Sequence, residues 1–272
     1  VPGPPSRPWL ACFGARLDAL APLDGAARLR TLNDWAGSAR IVVGSGRRLR
    51  FVPADPLPVA ASPAPAGYEA RIDASGEVAT RTDGPGARHD LYNALAWLAW
   101  PRTKARLNAL HVAAIRAGTG AVRGPLRDAA TLFDENGAAW VSTDAELAAM
   151  LRAFDWRRLF VEARVRVATG ASVAPIGHAL LEKLDTPYPA ITAHAWPLAL
   201  PADAPHAAID AALAEALQAD TLSTRALCPL PVLGLPGWWA ANADPAFYND
   251  ATVFRAGRRR VLAAEPVRDQ ET

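Results

Sequence analysis

The sequence predicts an α+β fold: one compact domain in which β-hairpins pack against several helices and a long Pro/Gly/Trp-rich C-terminal segment wraps the body. Three observations carry this expectation. Runs with the period of a strand and runs with the period of a helix are mixed along the chain, without the repeating strand–helix rhythm of a doubly wound sheet. A chain of 272 residues, 51% of them apolar, suffices for one sizeable core. The stretch LCPLPVLGLPGWWAANADPAFYNDATVF, 227 to 254, holds too many prolines and glycines for regular elements and too many aromatics for disorder, so it should wrap and pack.

Residues 1–23, rich in proline and alanine, read as an arm over the surface with Trp9 and Phe13 as anchors, and 24–256 as the domain. DGAARLRTLNDWA, 24–36, predicts a helix, because Ala27, Leu29, Leu32 and Trp35 recur at spacings of two to three and Asp24 suits the cap. RIVVGSGRRLRFV places two β-rich runs about a Gly-Ser-Gly turn, and PADPLPVAASPAPAG, 53–67, reads as a loop. YEARIDASGEVATR, 68–81, alternates on both sides of Asp-Ala-Ser-Gly and predicts a hairpin.

Pro101 cannot continue a helix interior, so it divides the next stretch into helix 89–100 and a second helix from 102 to 117, ended by Gly118 and Gly120. TLFDENGAAWVS, 131–142, predicts another hairpin with Asn136-Gly137 at its tip, and TDAE, 143–146, is a capping box opening a helix that carries Leu147, Met150, Leu151 and Phe154. ARVRVAT, 163–169, alternates like a strand; IGHALLEKL, 176–184, is helical; AITAHAW, 190–196, is again strand-like. DAPHAAIDAALAEALQA, 203–219, predicts a helix capped by Asp203, with Ile209, Leu213, Ala216 and Leu217 on one face. Residues 257–272 form a polar, basic tail.

A net charge of +2 argues against tight, nonspecific nucleic-acid binding by the whole chain. Local clusters at Arg102, Lys104, Arg106, Arg116, Arg123 and Arg127, and at Arg258–Arg260, read either as solvated faces or as a basic patch. Cys12 and Cys228 have no zinc-type spacing and suit reduced thiols, hence a cytoplasmic protein. The opening VPGPPSRPW lacks the apolar core of a signal peptide, and no apolar run is long enough to span a membrane.

Polar residues at organised spacings mark where chemistry would sit. His89, Asn93 and Trp97 are each four apart and share a helix face, with Asp90 beside them in the first turn. The helix dipole favours Asp90 there and disfavours a protonated His89, which keeps the imidazole in the form that ligates a metal or accepts a proton. Lys104, Asn108 and His111 form a second stripe, which with Arg102 offers charge to an anionic ligand. His178 and Glu182, four apart, have the spacing of two ligands of one metal, or of a carboxylate orienting a histidine. Gly177 before them permits close approach of backbone or ligand. His194 lies on a strand with Thr192 and Trp196, and Asp134 and Glu135 fall at the expected hairpin tip. Each also has a plain structural reading, as a cap, a surface ion pair, a hydrogen-bonded core histidine or an acidic turn.

The chain has no GxxxxGK[ST] loop, no GxGxxG after a strand, no GxSxG elbow and no HExxH. Taken together, HDLYNALAWLAWPRTKARLNALH, RDAATLFDENG, GHALLEKLDTPYPAITAHA and PLPVLGLPGWW resemble the bacterial family known as domain of unknown function 3025, over about residues 25 to 255. The resemblance brings no activity with it. It implies that His89, Asp90, Asn93, Pro101, Lys104, Asn108, Asp134, Glu135, Gly177, His178 and His194 occupy motif positions.

Two classes of function follow. In the first, an enzyme, His89, Asp90, His178, Glu182 and His194 converge in one cleft and hold zinc, manganese or iron. Asn93, Asn108, Trp97, Asp134 and Glu135 then serve catalysis or binding, while Lys104 and Arg102 meet an anionic ester or phosphoester. In the second, Arg102, Lys104, Arg106 and the tryptophans bind a phosphorylated ligand or nucleic acid, or the Trp238–Trp239 tail serves as a protein-interaction surface. Convergence of the histidines in space separates the two.

Overall fold

The computed structural model describes residues 7–54, 65–117 and 124–257. The expected ends of the helix at Gly118 and Gly120, most of the proline-rich loop, Arg123, Arg258–Arg260 and the basic tail lie outside the described residues. The fold is α+β, a single domain with small mixed sheets.

Its centre is a four-stranded sheet in the order β4-β3-β5-β6. Strand β3 (Gly137–Val141) is antiparallel to β4 (Ser172–Pro175) and parallel to β5 (Thr192–Leu198), which is antiparallel to β6 (Cys228–Pro231). Every residue of β3 is buried, as a strand covered on both faces requires. Its successive residues alternate between two cores: Ala139 and Val141 face one, Ala138 and Trp140 the other. β6 tolerates Pro229 and Pro231 because it is an edge strand.

The first core is closed by helices. Asp24 caps α2 (Gly25–Ser38), accepting the Ala27 N–H at 2.7 Å, as the sequence predicts. Pro101 separates α4 (Ala87–Ala99) from α5 (Pro101–Ala117), also as predicted. The free N–H groups at the start of α5 are taken by Asp210 of α10 (His206–Ala216), which accepts from Arg102 N and Thr103 N at 3.0 and 2.9 Å. The second core holds α7 (Ala145–Ala153), α9 (His178–Lys183) and the C-terminal wrap, where Tyr248 packs on Phe160 and Phe254.

Several expectations are corrected. Residues 68–81 are not a hairpin: α3 (Pro65–Ser75) ends at Gly76, whose φ of +76° suits a helix terminus, and β2 (Glu77–Thr80) pairs in parallel with β1 (Arg50–Pro53). Residues 131–142 are not one either. α6 (Pro125–Asn136) runs straight into β3, and Asn136-Gly137 is the junction. ARVRVAT is helix α8 (Arg164–Gly170), with Val167 buried and Val165 out in solvent, 75% exposed. Asp144 rather than Thr143 caps α7, and α10 begins after Pro205, past Asp203. In the RIVVGSGRRLRFV stretch a bridge joins Val42 and Arg48, but the second run continues into β1 and pairs with β2. Within the N-terminal stretch, Trp9 and Phe13 are buried as anchors, and α1 (Gly14–Leu20) is a helix the alanine-rich pattern did not announce.

Candidate metal centre

α4 and α9 lie against each other, and this contact brings His89 to His178. Their ring centroids are 4.5 Å apart with an interplanar angle of 72°. Arg88 pairs with Asp185 just beyond α9, and Tyr92 donates its hydroxyl to the same carboxylate at 2.5 Å. The two histidines are thus held on either side by a fixed interhelical seam.

The third member comes from the end of α6. A Cβ on Gly177 would stand 2.4 Å from the Glu135 carbonyl oxygen and 2.5 Å from the Asn136 nitrogen, so only glycine lets α6 come this close to the start of α9. Gly137 O accepts from both Ile176 N and Gly177 N at 2.9 Å and pins the approach. Glu135 Oε2 consequently lies 3.9 Å from His89 Nε2 and 3.4 Å from His178 Nε2. Two donors bound at ~2.1 Å to one tetrahedral ion are roughly 3.4 Å apart. His89, Glu135 and His178 could therefore hold a metal ion, and among the described residues no other His, Cys, Asp and Glu side chains group in this way.

The far nitrogens of both imidazoles face carboxylates. His89 Nδ1 is 3.0 Å from Glu182 Oε2, and His178 Nδ1 is 3.8 Å from Asp134 Oδ2. His178 is 4% exposed, and burial pushes its pKa down to about 3, so it is a neutral donor. Burial, with Asp134 adjacent, raises the Glu135 carboxyl above its usual range. A bound cation would relieve that unfavourable charge, which is a second sense in which the residues fit an ion.

Asp134 links this group to an inner polar cavity. Its Oδ1 accepts from Lys104 Nζ at 2.5 Å; Lys104 Nζ also donates to Asn93 Oδ1 at 2.9 Å and lies 5.4 Å from the centre of the Trp97 ring. Burial works against ionisation of Asp134, but Lys104 together with His178 and His111 more than offsets it, and the carboxyl stays below its ordinary value. Asn93 in turn donates to Tyr68 Oη at 3.0 Å, and Asn108 donates to the Glu69 carboxylate at 2.7 Å. Burial first, then Asp134, raises Glu69 to about 7. The cavity these residues line with His111 measures about 10 Å³, room for about one water molecule.

The polar residues that the sequence singles out thus divide. His89, Glu135 and His178 converge; Glu182 stands behind His89 rather than beside His178; Asn93, Trp97, Lys104, Asn108 and Asp134 form the interior network. Asp90 does not join the group, because Arg81 takes both its oxygens, through Nε at 2.7 Å and Nη2 at 2.8 Å. His194 does not join it either: it sits on β5 opposite Gly137, with Nδ1 buried and unpartnered. Arg102 is exposed and does not line the cavity, while Lys104 is interior and Arg106 is tied to Leu217 O at 2.6 Å. Arg102, Lys104 and Arg106 therefore do not make a surface stripe. Tyr68, Glu69, Arg81 and Asp185 were not visible from spacing, because their partners are far away in the chain.

Fold and site together define an α+β domain with a candidate two-histidine, one-carboxylate metal centre. The chain belongs to the family described as protein of unknown function (DUF3025), whose model matches residues 49–258. No curated protein and no solved structure matches the chain. Among the described residues, no helix is long and apolar enough to cross a membrane.

Proposed function

We propose that His89, Glu135 and His178 bind a divalent metal ion and that the protein is a metal-dependent hydrolase of a small anionic ester or phosphoester. One arrangement carries this reading: both Nε2 atoms point at one oxygen of Glu135, while the Nδ1 atoms face Glu182 and Asp134. A carboxylate hydrogen-bonded behind a ligating imidazole, as Glu182 is behind His89, sets the tautomer and raises the basicity of the donor nitrogen. Two imidazoles and a carboxylate suit zinc, manganese or iron, and three protein donors leave positions open for substrate. Such an ion supplies Lewis acidity and a water of lowered pKa.

The chain's own residues would do the rest. Buried His178 and partly exposed His89 would offer their Nε2 atoms to the ion, and Lys183, exposed and bonded at 2.8 Å to Asn136, is a cation available to an anionic group. Lys104 does not reach solvent, so its part is to hold Asp134 behind His178. Cys12 and Cys228 are free thiols, in keeping with a cytoplasmic location.

The test is metal content of the purified protein by elemental mass spectrometry, beside Glu135→Ala and His178→Ala. Turnover of p-nitrophenyl phosphate and p-nitrophenyl acetate is followed before and after loading with zinc, manganese or iron(II). Stoichiometric metal in the wild type only, with turnover that follows it, is expected. Failure to bind any of the three ions ends the metal reading. Binding without turnover ends the hydrolase and leaves a non-catalytic anion-binding role.

A further inference from the structure

A larger cleft of about 590 Å³ is lined by other residues, among them Arg7, Trp9, Arg164, Pro187, Trp238 and Trp239. Its size is that of a small-molecule pocket. We propose that this cleft binds a small aromatic anion, a flat ring bearing a carboxylate or phosphate. The proposal is independent of the metal centre.

The walls supply the ring contact. Trp9 and Trp238 have centroids 5.9 Å apart and planes inclined by 50°, so they form a tilted aromatic wall rather than a stacked pair. Gly237, at φ +80°, turns the chain so that Trp238 and Trp239 both reach the cleft, a backbone conformation that glycine adopts without strain. Trp238 and Trp239 remain partly exposed, and their indole N–H groups have no acceptor among the described residues. Flat ligands gain from such surfaces by stacking and edge contacts.

Arg164 supplies the charge. It donates to Tyr248 Oη at 2.9 Å and to Asn242 Oδ1 at 3.0 Å. Those two acceptors are themselves fixed: buried Asn242 donates to Leu233 O and Leu235 O at 2.7 Å, and Tyr248 donates to Gly234 O at 2.8 Å. All the groups that hold the guanidinium are neutral, and among the described residues no carboxylate lies within ion-pair distance of it. Arg166, two positions on, shows the contrast, paired with Asp144 at 2.6 Å and Glu146 at 2.8 Å. A guanidinium oriented by neutral acceptors keeps its charge and unused N–H groups for a planar anion. Arg7 adds a second cation to the lining.

The experiment titrates the full chain with 2-naphthoate and with its neutral counterpart 2-naphthylmethanol, by calorimetry and ligand-observed NMR. We expect 2-naphthoate to bind at least tenfold more tightly. Trp238→Leu should abolish binding of both, and Arg164→Gln should remove the preference for the anion. Because Arg164 also braces Tyr248 and Asn242, Arg7→Gln, whose side chain makes no described hydrogen bond, serves as the second charge variant and should reduce the preference in a protein of unchanged stability. His178→Ala should bind 2-naphthoate as the wild type does. Equal affinity for the two probes, absence of binding, binding that survives Trp238→Leu, or loss in His178→Ala would each overturn the proposal.

Discussion

Glu182 Oε2 lies 3.0 Å from His89 Nδ1 across the seam between α9 and α4. The carboxylate that shares a helix with His178 orients the other histidine. Removing it leaves the three donors in place but frees the His89 ring to rotate and to change tautomer. Glu182→Ala should weaken zinc or manganese binding by about 10- to 100-fold, the usual effect of losing such a partner. Competition titration against a chelator measures it; unchanged affinity would show that Glu182 does not position a metal ligand.

Gly177→Ala introduces one carbon that meets backbone on both sides, the Glu135 carbonyl and the Asn136 nitrogen. Neither can swing away as a flexible side chain would. The end of α6 must shift, at a cost of about 1–3 kcal/mol. Glu135 moves with it, so metal affinity should fall in step with the urea midpoint, whereas Gly170→Ala, where nothing lies within 4 Å and the residue is helical, should leave metal affinity unchanged and not lower the midpoint.

Lys104 and Asp134 have side chains only 4% and 16% exposed. Taking one partner from a pair so sheltered leaves a charge with nothing to compensate it, typically about 3–5 kcal/mol. Lys104→Met should show a loss of that order in equilibrium urea unfolding. The double variant Lys104→Met, Asp134→Leu should recover part of it; full additivity would mean that the pair is not coupled.

Glu69 binds its proton more tightly folded than unfolded, near 7 against 4.5. The stability this contributes is complete below about pH 4.5 and declines as pH rises to 7, because over that interval only the folded state still holds the proton. The slope approaches 1.4 kcal/mol per pH unit, about one proton's worth. Glu69→Gln cannot ionise and keeps an acceptor for Asn108. Its stability relative to wild type should therefore climb between pH 4.5 and 7 and then level off; a constant difference across that range would show that Glu69 is ionised throughout in the folded protein.

The parts of the site that sequence reading found are those governed by local rules. Pro101 has no amide hydrogen to give a helix, so the break between α4 and α5 was visible, and with it the His89, Asn93, Trp97 face. Gly177 before His178 signalled a close approach, which proved to be backbone on backbone. Asn136-Gly137 has turn chemistry and so puts Glu135 at a hairpin tip, yet Ala129, Ala130 and Phe133 carry the spacing of a buried helix face that extends α6 to that point. Asp-Ala-Ser-Gly misled in the same way, since glycine ends helices as readily as it turns hairpins. Arg81 on Asp90 and Glu69 on Asn108 are contacts of tertiary packing, and no spacing along the chain encodes them.

The direct passage from α6 into β3 has a consequence for how the protein is made. β3 is an interior strand, and its partners β4 and β5 are both synthesised after it; its parallel partner β5 joins Gly137 to His194 across all of α7, α8 and α9. Such distant pairings form slowly and leave apolar edges open until they close. A nascent chain that has emerged only as far as β3 carries Glu135 and His89 without His178, and without the sheet that positions them. An ion held by the three donors would be captured only once His178 has been made and brought to Glu135, so its occupancy would report that this part of the fold has closed.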